Sequence, residues 1–227
     1  MNINDMSCAC NCDGLTVFYD CGIAKKASVS NYSGRITFEL RDGRIIEHVI
    51  NDHILPNPSY LKQFGISISE NGEYFFIQSW EKGLFCFHMQ DGSLLWHYKT
   101  KHAYDLVVRK NHIVCLFFGL CVSVIEISSG KMVSRFPLSS YSTCFVPITD
   151  ERYIVGPKRG KYLILDENLS IVSSIPIETF NPRGCTTFLL LQAYFTPDGL
   201  LISGFEHFGE DNTGNMEQNR FYRLVSL

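Results

Sequence analysis

Apolar residues fall in short runs separated by tight polar turns, and the turns recur in two series that stay in phase along the chain. In the first series, Ser69-Glu70-Asn71-Gly72 precedes Tyr74-Phe75-Phe76-Ile77, and Arg109-Lys110-Asn111 precedes Ile113-Val114-Cys115-Leu116. Thr149-Asp150-Glu151-Arg152 then precedes Tyr153-Ile154-Val155, and Thr196-Pro197-Asp198-Gly199 precedes Leu200-Leu201-Ile202. The second series comprises Arg41-Asp42-Gly43-Arg44, Gln90-Asp91-Gly92-Ser93, Ser128-Ser129-Gly130-Lys131 and Asp166-Glu167-Asn168-Leu169. Asp-Gly between apolar runs is a strong hairpin signal, because type I′ turns need residues that tolerate positive φ. One unit therefore reads as four strands, 65–69, 74–79, 83–88 and 93–98, joined by short turns.

A four-strand unit with a period of about 40 residues predicts an all-β fold of radially repeated sheets, a small β-propeller. Counting turns gives a first unit near 17–49, three between 64 and 177, and a last at 187–227, hence five blades of four antiparallel strands. Pairing of 221–225 with 15–19 is expected to close the ring. Residues 1–14 read as an N-terminal cysteine-containing arm and 15–227 as a single propeller domain.

The segment Asp91-Gly92-Ser93-Leu94-Leu95-Trp96-His97-Tyr98-Lys99-Thr100 resembles the repeat of the quinoprotein-like propeller superfamily, in which a glycine turn leads into a strand carrying a tryptophan. Asp42-Gly43-Arg44-Ile45-Ile46 and Ser129-Gly130-Lys131-Met132-Val133-Ser134 keep the turn and strand without that aromatic anchor. The resemblance implies a fold and assigns no activity. The tryptophan-aspartate repeat signature is absent, since Ser79-Trp80-Glu81 lacks its aspartate.

Charge narrows the classes of partner. Lys and Arg total 20 against 23 Asp and Glu, so no global field attracts a polyanion or an anionic membrane, and neither nucleic acid nor membrane is expected as a partner. The charge-free run Ile113 to Ile125 is about 13 residues, short of the 18 or more that span a bilayer. With no basic and apolar leader before the cysteines, a cytoplasmic location is expected. Nine cysteines, with Cys86, Cys115, Cys121, Cys144 and Cys185 scattered among strand residues, read as reduced core thiols.

Candidate chemistry is sparse. Cys8, Cys10 and Cys12, with Cys21 nearby, are weak metal candidates: thiolates suit Zn²⁺, but residues two apart on a strand make an awkward chelate for one ion. A terminal arm without metal is the preferred reading, and no cofactor is expected. The seven histidines form no metal-binding pair, and His48, His88 and His97 fall in strands, where a hydrogen-bonded structural imidazole is expected. Pro157-Lys158-Arg159-Gly160-Lys161 reads as a basic hairpin tip, a solvated turn in preference to an anion site. The stretch 205–219 reads as a polar loop inside the last unit; its carboxylates Glu206, Glu210 and Asp211 are the candidate contacts for a basic partner.

These features favour a non-enzymatic protein-binding propeller. The sharpest form of that expectation is a cytosolic immunity or inhibitor protein that neutralises a toxin, such as a basic nuclease. The alternative is an enzyme or small-ligand binder that uses polar residues converging on a central channel. A structural subunit of a permanent complex would instead show a contiguous exposed apolar patch.

Overall fold

The computed structural model describes residues 9–11, 14–17, 23–30, 34–50, 64–138, 144–148, 152–176, 178, 187–210 and 216–225. They form strands arranged as antiparallel sheets. The first sheet contains β1 (Ala9–Asn11), β2 (Gly14–Val17), β3 (Ala24–Ser30), β4 (Arg35–Leu40) and β5 (Ile45–Val49), in that order. The second contains β6 (Phe64–Ile68), β7 (Tyr74–Ser79), β8 (Gly83–His88) and β9 (Leu94–Tyr98). The third is β10 (Ala103–Val108), β11 (His112–Phe117), β12 (Cys121–Glu126) and β13 (Met132–Pro137). The fourth is β14 (Cys144–Ile148), β15 (Arg152–Lys158), β16 (Lys161–Leu165) and β17 (Ile171–Pro176). The last has three long strands, β18 (Thr187–Thr196), β19 (Gly199–Glu210) and β20 (Met216–Val225). Chain order equals sheet order throughout, the meander of a propeller blade.

The chain divides into two compact units, residues 1–117 with 123–133, and residues 118–122 with 134–227. In the first, Ile36, Phe38 and Leu40 of β4 share a core with Ile66, Ile68, Phe75, Ile77, Phe85 and Phe87 of the second sheet. Phe75 lies 5.1 Å from Phe38 and stacks on Phe87 at 4.9 Å. Burying each such ring contributes about 2 to 3 kcal/mol. In the second unit, Val146, Ile154, Tyr162, Ile164 and Ile175 form a core with Leu190, Ala193, Leu200, Ile202, Phe221 and Val225.

The repeats are tied by an anchor from one sheet to the turn of the next. Trp96 in β9 donates from Nε1 to the Ile127 carbonyl at 2.6 Å, and its ring occupies the place where a Cβ on Gly130 would fall. His48 in β5 does the same one repeat earlier: Nε2 donates to the Met89 carbonyl at 2.8 Å, and the ring lies where a Cβ on Gly92 would stand. The missing tryptophan of the first repeat is thus replaced by histidine. One repeat later Ser134 Oγ donates to the Asn168 carbonyl at 2.9 Å, and the turn residue is a buried leucine, Leu169, at φ 64°. A large ring over glycine becomes a small hydroxyl beside leucine. His97 is likewise structural, its Nε2 donating to the Lys82 carbonyl at 2.7 Å.

The described part of the N-terminal cysteine-containing arm, residues 9–11, forms β1 and pairs with β2 inside the first sheet. Leu15 and Thr16 of β2 are paired on both edges, with β1 and with β3. One expectation is corrected. The stretch 205–219 is mostly strand: β19 runs to Glu210 and β20 begins at Met216, with Glu206 opposite Asn219 and Glu210 opposite Met216. Its polar residues misled because charge in a long strand looks like a loop when its partner is not adjacent in sequence. Among the described residues, no helix is long and apolar enough to cross a membrane.

Candidate protein-binding surface

Glu206 is fully buried, and its carboxylate pairs with the guanidinium of Arg223. The register explains the pair. Arg223 stands opposite Ile202, four residues before Glu206 on the same face of β19, and Phe221 between them faces Gly204. With no side chain at Gly204, Arg223 extends over the Phe221 ring, 4.7 Å from its centroid, to reach the carboxylate. Glu206 is therefore a core group that offers nothing to a partner, contrary to the sequence expectation. The side chain of Glu210 and the whole of Asp211 lie outside the described residues. So do Cys8, Cys12 and the side chain of Cys10. Among the described residues, no group of three His, Cys, Asp or Glu is placed to hold a metal ion.

The opposite face of the same sheet is the reverse in character. Leu201 pairs with Leu224 on one side and with Tyr194 on the other, so an apolar rung crosses all three strands. Tyr222 follows on the same face of β20, opposite Ser203. Leu201, Leu224 and Tyr222 are 37%, 53% and 63% exposed. Arg220 lies over the Tyr222 ring at 5.3 Å, giving the patch a cationic border. The local sequence dictates this. Leu200-Leu201-Ile202 and Phe221-Tyr222 with Leu224-Val225 place apolar side chains on both faces of β19 and β20, the pattern of strands covered on two sides.

A concavity of about 1040 Å³ opens among the turns of the first two sheets. Its floor holds Ile23, Leu40 and Met89; Asp42, Arg44, Glu73 and His88 are on its rim. The rim groups already serve their own turns. Asp42 accepts from Arg44 Nε at 2.7 Å and from the Arg44 amide at 3.0 Å, and these bonds hold its carboxyl below the usual range. Asn71 Nδ2 donates to Glu73 at 2.7 Å, and His88 packs on Tyr74 at 5.3 Å. Such a groove has little unspent polar chemistry.

Comparison with known proteins bears on the fold. No protein-family model matches the sequence, and no curated protein does. Among solved structures, BamB from Moraxella catarrhalis is similar at 13% identity and a TM-score of 0.50, over 99% of this chain and 62% of that one. Sqt1 of Saccharomyces cerevisiae is similar at 13% identity and a TM-score of 0.54, over 88% of this chain and 58% of that one. The dihydro-heme d1 dehydrogenase NirN, in a complex with DHE, shares 11% identity at a TM-score of 0.54, over 88% and 45%. The fold is that of a β-propeller. The chain spans about three-fifths of the first two structures it matches.

Proposed function

We propose that this protein acts by binding another protein, and that the outward face of the β18–β20 sheet is the surface it uses. The observation that carries the reading is the exposed rung of Leu201 and Leu224 with Tyr222 beside it. Large apolar side chains contiguous on a sheet face mark interaction sites more often than scattered ones do, and tyrosine with a nearby arginine is typical of interface centres. The function is proposed to need no catalysis. Buried cysteines outside any disulfide, Cys86, Cys115 and Cys121, support a reducing, cytoplasmic location; burial pushes the Cys86 thiol up to about 12.

The test is capture from native lysate with wild-type protein and with a Leu201→Lys, Leu224→Glu double variant. The two new charges face each other across the strands, which keeps the sheet stable. A stoichiometric partner held by the wild type and lost by the variant, at an unchanged melting temperature, is the expected result; equal capture by both rejects this face. The narrower reading, an immunity or inhibitor protein that masks a basic toxin domain, now depends on Glu210 and Asp211. It requires that a captured partner be basic and be released by Glu210→Ala with Asp211→Ala.

A further inference from the structure

The β15–β16 hairpin carries a residue whose backbone is strained without visible return. Lys158 pairs with Lys161, so Arg159 and Gly160 form a two-residue turn, with φ 50° and 75°. Positive φ at both positions is the type I′ signature, which favours asparagine or glycine and disfavours arginine. Among the described residues two other non-glycine residues have positive φ, and each has its compensation. Leu169 is buried; the His102 amide donates to the Trp80 carbonyl at 2.6 Å and its ring stacks on Trp80 at 4.4 Å. Arg159 is exposed, and it has neither a hydrogen bond nor an ion pair among the described residues. Strain that no contact among the described residues compensates points to a role for the side chain outside the fold.

The surroundings give that role a chemistry. Arg159 and Lys161 line an open pocket of about 390 Å³ with Phe136, Leu163 and Ile171. Lys161, like Arg159, is exposed and has no anionic partner among the described residues. Leu163 is buried as the floor, whereas Ile171 is 57% exposed at the side. A Cβ built on Gly160 would meet nothing within 4 Å, so the turn leaves the approach clear. Two cations of different reach, without an anionic partner among the described residues, over an apolar floor complement an anion attached to an apolar body. Guanidinium binds a carboxylate in bidentate fashion, and the ammonium adds a point charge.

We propose that this pocket receives a segment of a partner protein in which a carboxylate side chain lies next to a large apolar one. The carboxylate pairs with Arg159 and Lys161 while the apolar side chain fills the space among Phe136, Leu163 and Ile171. This site is separate from the β18–β20 face and stands or falls independently of it.

The test uses a short fluorescein-labelled peptide in which glutamates alternate with leucine and phenylalanine, titrated against the full chain by fluorescence anisotropy. Saturable binding is expected, weakened at least tenfold in Arg159→Gly and in Lys161→Gln and unchanged in Arg135→Gln, an exposed cation that does not line the pocket. Arg159→Gly supplies the residue the turn prefers, so its melting temperature should equal or exceed that of the wild type while binding is lost. A peptide with glutamine in place of glutamate should not bind. Absence of binding by the wild type, equal binding by Arg159→Gly, or equal binding of the glutamine peptide overturns the proposal. So does saturable binding of inorganic phosphate or phosphatidylserine vesicles that excludes the peptide.

Discussion

The first and last sheets each turn one face to a core, and their other faces are built on opposite principles. In the first sheet, β4 alternates strictly, Arg35-Ile36-Thr37-Phe38-Glu39-Leu40, with its apolar set buried. Its outer face is polar and self-satisfied: Arg35 Nη1 pairs with Glu47 at 3.0 Å, and Thr37 Oγ1 donates to the same carboxylate at 3.3 Å. Ile45 and Val49 are exposed there, but Ile45 stands opposite Glu39, Val49 opposite Arg35, and Glu47 lies between them. In the last sheet, the ion pair is inside and the apolar rung is outside. A face that spends its charges on itself is finished in water. A face with Tyr194, Leu201 and Leu224 in register calls for a cover, which is why the binding proposal rests on the second.

The sharpest way to break this comparison is through its two ion pairs. Glu206 is fully buried and the Arg223 side chain is 16% exposed, so removing one partner strands a charge in the core. Glu206→Ala or Arg223→Ala should each cost about 3 to 5 kcal/mol in denaturant unfolding. A cost below about 1 kcal/mol would show that water reaches the pair and that the inner face of this sheet is not core. Glu206→Leu with Arg223→Met should recover most of the loss, because an apolar pair of similar volume avoids the desolvation penalty.

A carboxylate without a cation partner among the described residues gives the next largest effect. Asp105 in β10 is half-buried, and desolvation pushes its carboxyl up to about 6 against the opposing bond from the Leu106 amide at 2.8 Å. A carboxyl with a raised pKa holds its proton more tightly in the folded chain than in the unfolded one. Stability therefore falls as pH rises from about 4 to about 6, and the penalty is full above that range. Asp105→Asn keeps an acceptor for the Leu106 amide and should gain about 2 kcal/mol at pH 7 and nothing at pH 4. A gain independent of pH would mean that charge is not its cause.

The same contrast explains which parts of the molecule the sequence disclosed. The second sheet was legible almost to the residue, because Asn71-Gly72 and Asp91-Gly92 mark its turns and each strand between them is short. The first sheet was legible only from β4 onward: β1 and β3 lack such turns, and Lys25-Lys26 in β3 breaks the apolar run. Residues 205–219 were misread because the partner of Glu206 lies 17 residues away and two rungs off the direct register. Burial of a charge is a property of the pair, invisible in either residue alone. The His48 anchor was missed for a related reason, since its equivalence to Trp96 lies in the glycine and carbonyl it meets and not in its residue type. The exposed rung, by contrast, left a trace. Leu200-Leu201-Ile202 is apolar on both faces, and a strand of that kind expects two covers.

The smallest effect completes the comparison at the outer face of the first sheet. Arg35 and Glu47 are 51% and 47% exposed, so their attraction is screened and offset by the entropy of fixing two long side chains. A double-mutant cycle with Arg35→Ala and Glu47→Ala should give a coupling of about 0.5 kcal/mol or less, falling toward zero in 1 M salt. Thr37, which donates to the same carboxylate, sets the upper bound by sharing it. The cycle should also leave partner capture unchanged. A coupling as large as that of Glu206 with Arg223 would mean that the first sheet's outer face is covered, and the distinction between a finished and an unfinished face would lose its basis. A small coupling with capture intact confines binding to the apolar rung of β19 and β20.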